Sequence, residues 1–350
     1  LSKTVNDVLT LFVNYLITLY TVRARGNPLK LFGTTQRLFP AYFQEFEFSA
    51  PTHRNGVLMI CTACPHRCGA QRIEDRKSTG FCKMPYNPVL ARAELHFWEE
   101  PPISGKNGSG AIFFSGCSLR CVFCQNFEIS QGDIGRPVTK ARFIEIMQEL
   151  EAKGAHNINL VNPTHFTPFL AEALRAYKPK IPVVYNSGGY DSAETLKTLR
   201  GLVDIYLPDF KYFDSTLAKS CSAAADYPET AKAALLEMRA QTKDRFGENG
   251  MMQSGLLIRH LVLPKHTDDS AKILRWIREN LGKDTYISLM SQYTPCGREY
   301  PQKELNRRLT TAEYQRTVDA FWALGFQNGF MQERTAAETC FIPKFDLSGV

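Results

Sequence analysis

Hydrophobic and polar positions alternate between two periods from about residue 110 onward. Short apolar runs recur at Ala111–Phe114, INLV (158–161), IPVVY (181–185), VDIYL (203–207), LLIRHLVL (256–263) and TYISLM (285–290). Stretches with apolar residues every three or four positions separate them. One such stretch is 138–153, where Ile144, Met147 and Leu150 share a helical face and Gly154 closes the pattern. The others are 167–177, a helix starting near Ser192, 227–245, 268–281 and 310–324, with GFMQ near 330 after the last. Strands of this length, each followed by a helix, predict consecutive βα units and a parallel sheet. Right-handed crossovers curl such a sheet toward a barrel. The expected fold class is therefore α/β, a partial (β/α)6 TIM-like barrel. Turn-forming or polar residues follow the strands: Cys117, Asn162, Asn186, Asp209, Pro264 and Ser291. In a βα barrel those strand ends face the functional mouth.

The pattern before residue 110 is different. Residues 8–22 (VLTLFVNYLITLYTV) are mostly apolar and precede Arg23 and Arg25. The run falls short of the roughly 20 residues that span a bilayer. It reads as a helix packed on the body, with targeting or anchoring as the alternatives. Pro28, Gly33, Pro40, Pro51 and Gly56 break residues 27–56 into an irregular connector. The expected layout is 1–56 as helix and connector, 57–100 as a cysteine-rich segment, 101–335 as the barrel, and 336–350 as a tail. LHFWEEPPISGKNGSG, with its paired prolines and glycines, reads as turns leading into the first barrel strand.

Composition changes the picture only through cysteine. The chain has 350 residues, 44% hydrophobic and 22% charged, which suits a globular protein with a sizeable core. Its net charge of +7 is not gathered into a dense basic block, so no nucleic-acid platform is expected. Seven of the ten cysteines fall in two tight groups. In a chain of this size clustered thiols point to metal more than to disulfides. Cys117, Cys121 and Cys124 are spaced C-x3-C-x2-C directly after the 111–114 run. Three thiolates can hold three irons of a [4Fe–4S] cube and leave the fourth open, whereas ferredoxin-type sites use four. Cys61, Cys64, Cys68 and Cys82 are a complete set, equally suited to zinc or to a second cluster. Such a closed site implies a structural or electron-relay role. Cys221, Cys296 and Cys340 stand alone and read as small buried apolar residues.

The sequence CSLRCVFC, with Phe123 before the third cysteine, resembles the signature of the radical S-adenosylmethionine (radical SAM) enzymes. More narrowly, EEPPISGKNGSGAIFFSGCSLRCVFCQNFEIS is similar to the pyruvate formate-lyase-activating-enzyme-like, uncharacterised group of that family. VNPTHFTP, VVYNSGGYD, VDIYLPDFKY and LMSQYTPCG extend the resemblance over roughly 57–335. It implies a [4Fe–4S] cluster whose open iron is chelated by S-adenosylmethionine (SAM). Reductive cleavage of SAM then yields methionine and a 5′-deoxyadenosyl radical, which takes hydrogen from a substrate such as a protein glycine or a small metabolite. An electron donor such as flavodoxin or ferredoxin is implied, and with it the cytoplasm or a reducing organelle matrix; a membrane partner is not expected. The competing reading is a non-catalytic iron–sulfur redox sensor or electron carrier on the same fold.

The resemblance also implies SAM contacts. Asn162, Thr164 and His165 stand where many members carry Gly-Gly-Glu, a departure from the family pattern. Asn186, Ser187 and Gly188 suit a ribose, or simply a turn. Asp209 and Lys211 match the Asp-x-Lys of the activating enzymes. Arg259, inside an apolar strand, must find an anion: a SAM or substrate carboxylate, or a structural partner. Gln125 and Asn126 are placed to donate to cluster sulfurs, and Glu99 and Glu100 to bind a substrate amine or to form a polar turn.

Overall fold

In the computed structural model the described residues are 57–295, 298–332 and 342–350. The expected helix at 8–22, the connector at 27–56, Cys296 and Cys340 lie outside them.

Two strands, β1 (Val57–Ile60) and β2 (Gln71–Ile73), pair antiparallel and carry Cys61, Cys64 and Cys68 in the loop between them. The large sheet follows. β3 (Val89–His96) runs antiparallel to β4 (Ser109–Phe114), and β5 (Arg136–Pro137) pairs with the outer edge of β3. Next come β6 (Ile158–Val161), β7 (Val183–Ser187) and β8 (Ile205–Pro208). A short β9 (Arg245–Phe246) hairpins onto β10 (Met252–Leu261), and β11 (Tyr286–Met290) and β12 (Gly329–Met331) complete the set. From β4 through β6, β7, β8, β10 and β11 to β12 every neighbouring pair is parallel. Spatial order equals chain order along that run. Among the described residues the sheet ends at β12 on one edge and β5 on the other, which makes it an arc. This is the partial barrel that the alternating pattern predicts.

Local chemistry explains the crossovers. Helix Lys140–Ala152 starts where the Thr139 side chain accepts from Arg142 N, and it buries Phe143, Ile146, Met147 and Leu150. Helix Thr311–Ala323 opens with a reciprocal capping box between Thr310 and Glu313. β4, antiparallel to β3 and parallel to β6, is buried at every position, as expected for a strand covered on both faces.

Three elements differ from the sequence expectation. β3 is additional, ending where the expected turns of 95–110 begin: its strand-forming span is only partly alternating and is flanked by Pro85, Pro88, Pro101 and Pro102. Helix Ser215–Ser222 is additional; STLAKSCS offers little apolar periodicity, and the helix is fixed by Asp214 capping Leu217 N. β7 starts at Val183, after Pro182, which cannot donate to the ladder. The chain end is also more ordered than a tail: Leu347 N donates to Ala91 O, Ala93 N donates to Ser348 O, and Phe345 packs on Phe113. No described helix is long and apolar enough to cross a membrane.

Candidate active site

The C-terminal ends of the parallel strands open on a cavity of about 660 Å3. Cys117, Cys121 and Cys124 line one side of it; Asn162, Asn186, Ser187, Gly188, Asp209, Lys211 and Arg259 line the strand ends. Glu99 and Glu100 complete the rim between β3 and the next helix.

The cysteine loop turns at Gly116, whose φ of 79° favours glycine. A Cβ there would lie 2.5 Å from Met84 Cγ and 3.2 Å from the Cys82 carbonyl oxygen. The loop is held by Gly116 N donating to Ile129 O (2.8 Å), Val122 N to Cys221 O (2.9 Å) and Asn162 Nδ2 to Gly116 O (3.2 Å). Each sulfur has a donor aimed at it: Leu119 N to Cys117 Sγ (3.3 Å), Ser222 Oγ to Cys121 Sγ (3.0 Å) and Ser130 Oγ to Cys124 Sγ (3.4 Å). Burial pushes the Cys121 thiol up and the Cys124 thiol up to about 12, so a metal must displace their protons. The sulfur donors thus include two serines and a backbone amide, with Tyr212 also beside Cys121. Gln125 and Asn126 line the cavity.

Facing the thiols is a connected charge network. Lys211 Nζ lies 2.5 Å from Asp209 Oδ2, and Arg259 Nε donates to Asp209 Oδ1 at 3.1 Å. Arg259 Nη1 donates to Glu99 Oε2 at 3.0 Å, and its Nη2 donates to Asn186 Oδ1. Glu99 Oε1 in turn accepts from Asn159 and Asn186. Of the two partners weighed for Arg259 in the sequence, the structural one is present: its guanidinium is clamped by two carboxylates of its own chain. Burial alone would raise the Asp209 carboxyl, but Lys211 and Arg259 outweigh it and hold the group below the usual carboxylate range. Burial would likewise lower Lys211, and Asp209 and Cys121 reverse that. Glu100 behaves oppositely. Burial pushes its carboxyl up, Glu99 adds to this against the pull of Arg259, and its Oε2 is enclosed without a partner.

Thr164 and His165 do not line the cavity. They sit on the short turn Thr164–Phe166, which carries both side chains beneath the strand ends. Thr164 Oγ1 donates to Asp191 Oδ1 (2.7 Å), and His165 Nε2 contacts Ser115 O at 2.8 Å. Burial, aided by Arg72, lowers His165 to about 3, so its ring is neutral. Asp191 is the centre of this lower layer, also accepting from Ser187 Oγ (2.5 Å) and Tyr185 Oη (2.9 Å). Nothing in the sequence marked Asp191, Ser130 or Ser222. Only the S/T/D context of a strand exit signals the first, and no local pattern signals the serines.

The chain matches a known family and a known relative. The model of the radical SAM superfamily matches residues 111–277, from β4 through the helix after β10. An uncharacterised protein of Methanocaldococcus jannaschii is 31% identical over 278 residues, covering 75% of this chain and 74% of that protein. Among solved structures, SuiB of Streptococcus suis aligns with a TM-score of 0.45 at 12% identity over 64% of this chain, which spans about half (48%) of SuiB. Native anSMEcpe with bound AdoMet aligns with a TM-score of 0.41 at 13% identity over 60% of this chain and 57% of that one. With three thiols at the mouth of a parallel βα arc, with the family match covering strands β4 to β10, and with a relative 31% identical over three quarters of each chain, this chain belongs to the radical SAM superfamily.

Proposed function

We propose that this chain cleaves SAM reductively and directs the resulting radical to a hydrogen atom of a protein glycine or a small metabolite, as the activating-enzyme resemblance suggests. The carrying observation is that the three thiols and the strand-end residues Asn186, Asp209 and Lys211 line one cavity. The residues suit the cofactors. Three buried thiols with individual hydrogen-bond donors form a sulfur set for a [4Fe–4S] cluster, with no fourth cysteine in the cavity lining among the described residues. A volume near 660 Å3 is in the range of roughly 300–1,000 Å3 for ligand sites, enough for a nucleoside-sized molecule and part of a substrate.

When bound, the cluster and SAM supply one-electron cleavage of a sulfonium bond and a primary carbon radical. The chain supplies the rest. Gly188 keeps the mouth open, since a Cβ there would lie 3.0 Å from Leu119 and 3.6 Å from Lys211. Lys211 is the strand-end cation that an amino-acid carboxylate can approach, while Arg259, itself held by Asp209 and Glu99, fixes Asp209 beside it. Glu100 lines the cavity, and burial pushes its carboxyl up. An external donor of the flavodoxin or ferredoxin class would supply the electron.

The test is anaerobic turnover of reconstituted protein with dithionite and SAM. Release of 5′-deoxyadenosine and methionine is expected. Fully loaded protein that yields neither product would refute the enzyme and leave the electron-carrier reading.

A further inference from the structure

Arg72 is the most unusual charge in the molecule. It is only 2% exposed, and no carboxylate pairs with it among the described residues. Its Nη1 donates to His165 O (2.6 Å) and Pro85 O (3.3 Å), and its guanidinium lies 5.7 Å over the Phe166 ring. Its Nη2 points at Cys82 Sγ at 3.2 Å, and its Nε has no partner. A buried guanidinium without a counter-charge costs several kcal/mol. The groups beside it that can become anions, among the described residues, are thiols of the set Cys61, Cys64, Cys68 and Cys82, with Cys82 in direct contact, and none of the four is in a disulfide. Four thiolates around a zinc ion or around a [4Fe–4S] centre carry a net charge of roughly −2, the counter-charge that Arg72 lacks, and the path of this segment from surface to site favours the redox-active of the two.

The backbone is shaped around these sulfurs. Gly69 turns at φ 63°, and a Cβ at Gly80 would lie 3.0 Å from Cys68 Sγ. Cys61 N donates to Ala70 O (2.9 Å) and Gly69 N to Cys61 O (3.0 Å), closing the loop. Among the described residues no three His, Cys, Asp or Glu side chains converge at the spacing of one ion. The four-cysteine segment also spans from surface to site. Cys68 is exposed, whereas Cys82 is buried with its carbonyl against Gly116, the residue before Cys117. His66 joins the same loop through Ser118 O at 2.7 Å.

We propose that Cys61, Cys64, Cys68 and Cys82 bind a second [4Fe–4S] cluster, and that it is the port through which an external one-electron donor reduces the cavity cluster. A donor of the ferredoxin or flavodoxin class loses one electron, the second cluster gains it and passes it on, and no atom or proton is transferred. The relay rests on the cavity reading above; the cluster itself does not.

Iron and acid-labile sulfide of the anaerobically reconstituted full chain should reach about eight each, falling to about four in Cys117→Ala and in Cys64→Ala. Reduced wild type should show two paramagnetic signals, only one of which SAM perturbs. About four irons with one zinc in wild type, or a single signal, would overturn the proposal; these wild-type measurements decide it even if Cys64→Ala does not fold. Arg72→Gln should lower the midpoint potential of the SAM-insensitive signal alone, and an unchanged potential would remove Arg72 from the argument. Cys64→Ala should keep dithionite-driven cleavage while losing at least tenfold in ferredoxin-driven cleavage. Equal loss with both reductants, or no loss, would overturn the relay. Wild type that counts two clusters yet cleaves no SAM would sink the proposed reaction and leave the second cluster standing.

Discussion

The two cysteine groups of this chain pack against each other and yet are built to opposite plans. Cys117, Cys121 and Cys124 lie on one loop after β4, face a cavity, and each receive a hydrogen bond from a neighbour. Cys61, Cys64, Cys68 and Cys82 are absent from that cavity's lining, form a set of four, and have a buried arginine at one corner. An incomplete set in a cavity leaves a coordination position for chemistry; a complete set beneath a loop leaves none. The difference lies less in the cysteines than in what surrounds them: a charge network ready for a ligand in one case, a single unanswered cation in the other.

The sharpest way to break this contrast is to remove one ligand from each group. Cys117→Ala should bring SAM cleavage to background, a loss beyond the roughly 10–100-fold of outer-shell changes, in anaerobic product assays. Cys64→Ala assayed with dithionite should stay within a few fold of wild type.

The next effect concerns the joint between the groups. Gly116→Ala puts a side chain at φ 79° and into Met84 and the Cys82 carbonyl. It should cost about 2 kcal/mol, within the 1–3 typical of such backbone positions, read as a lowered thermal midpoint. A neutral result would mean the two regions are not tightly apposed.

A smaller effect is expected on the ligand side of the cavity. Lys211→Met leaves Asp209 and Glu99 to share Arg259. SAM affinity should fall roughly tenfold, about 1.4 kcal/mol, by titration calorimetry. The pH dependence has a definite sign. The folded Asp209 carboxyl lies below its ordinary value, so its stabilisation is complete above the ordinary carboxylate range and is lost as pH falls through the depressed value. Without Lys211 the folded value rises, and acid loss of stability should begin at higher pH in thermal melts.

The smallest effect tests whether the serine donors tune the cavity cluster alone. Ser222→Ala removes the 3.0 Å hydrogen bond to Cys121 Sγ and the Tyr212 contact behind it. About 1 kcal/mol of stability should go, with the iron count unchanged and only the SAM-responsive signal shifted in potential.

Much of this was legible along the chain. Ile158–Val161 is a strand over the residues expected, and the helices at 140–152, 267–280 and 311–323 fall within a few positions of the expected spans. The strand-end residues Asn186, Asp209 and Lys211 do reach one mouth with the three cysteines. Thr164 and His165 were misplaced because the strands are apolar on both faces. Alternation then does not say which exit side chains point into the mouth and which turn beneath it. Arg259 shows a related limit: a charge in an apolar strand announces that a partner exists, but Glu99 is 160 positions away.

What the sequence alone determined is therefore chemical and periodic. The C-x3-C-x2-C spacing, the complete set of four, and the strand-helix alternation follow from residue types at short range, where covalent geometry and hydrogen-bond periods act. What only the tertiary structure decided is pairing at long range. Ser222 reaches Cys121, Arg72 reaches Cys82 and His165, and two carboxylates from distant elements close on Arg259. Such contacts depend on how the sheet curls and what burial demands of each charge, and neither is encoded in any one stretch of chain.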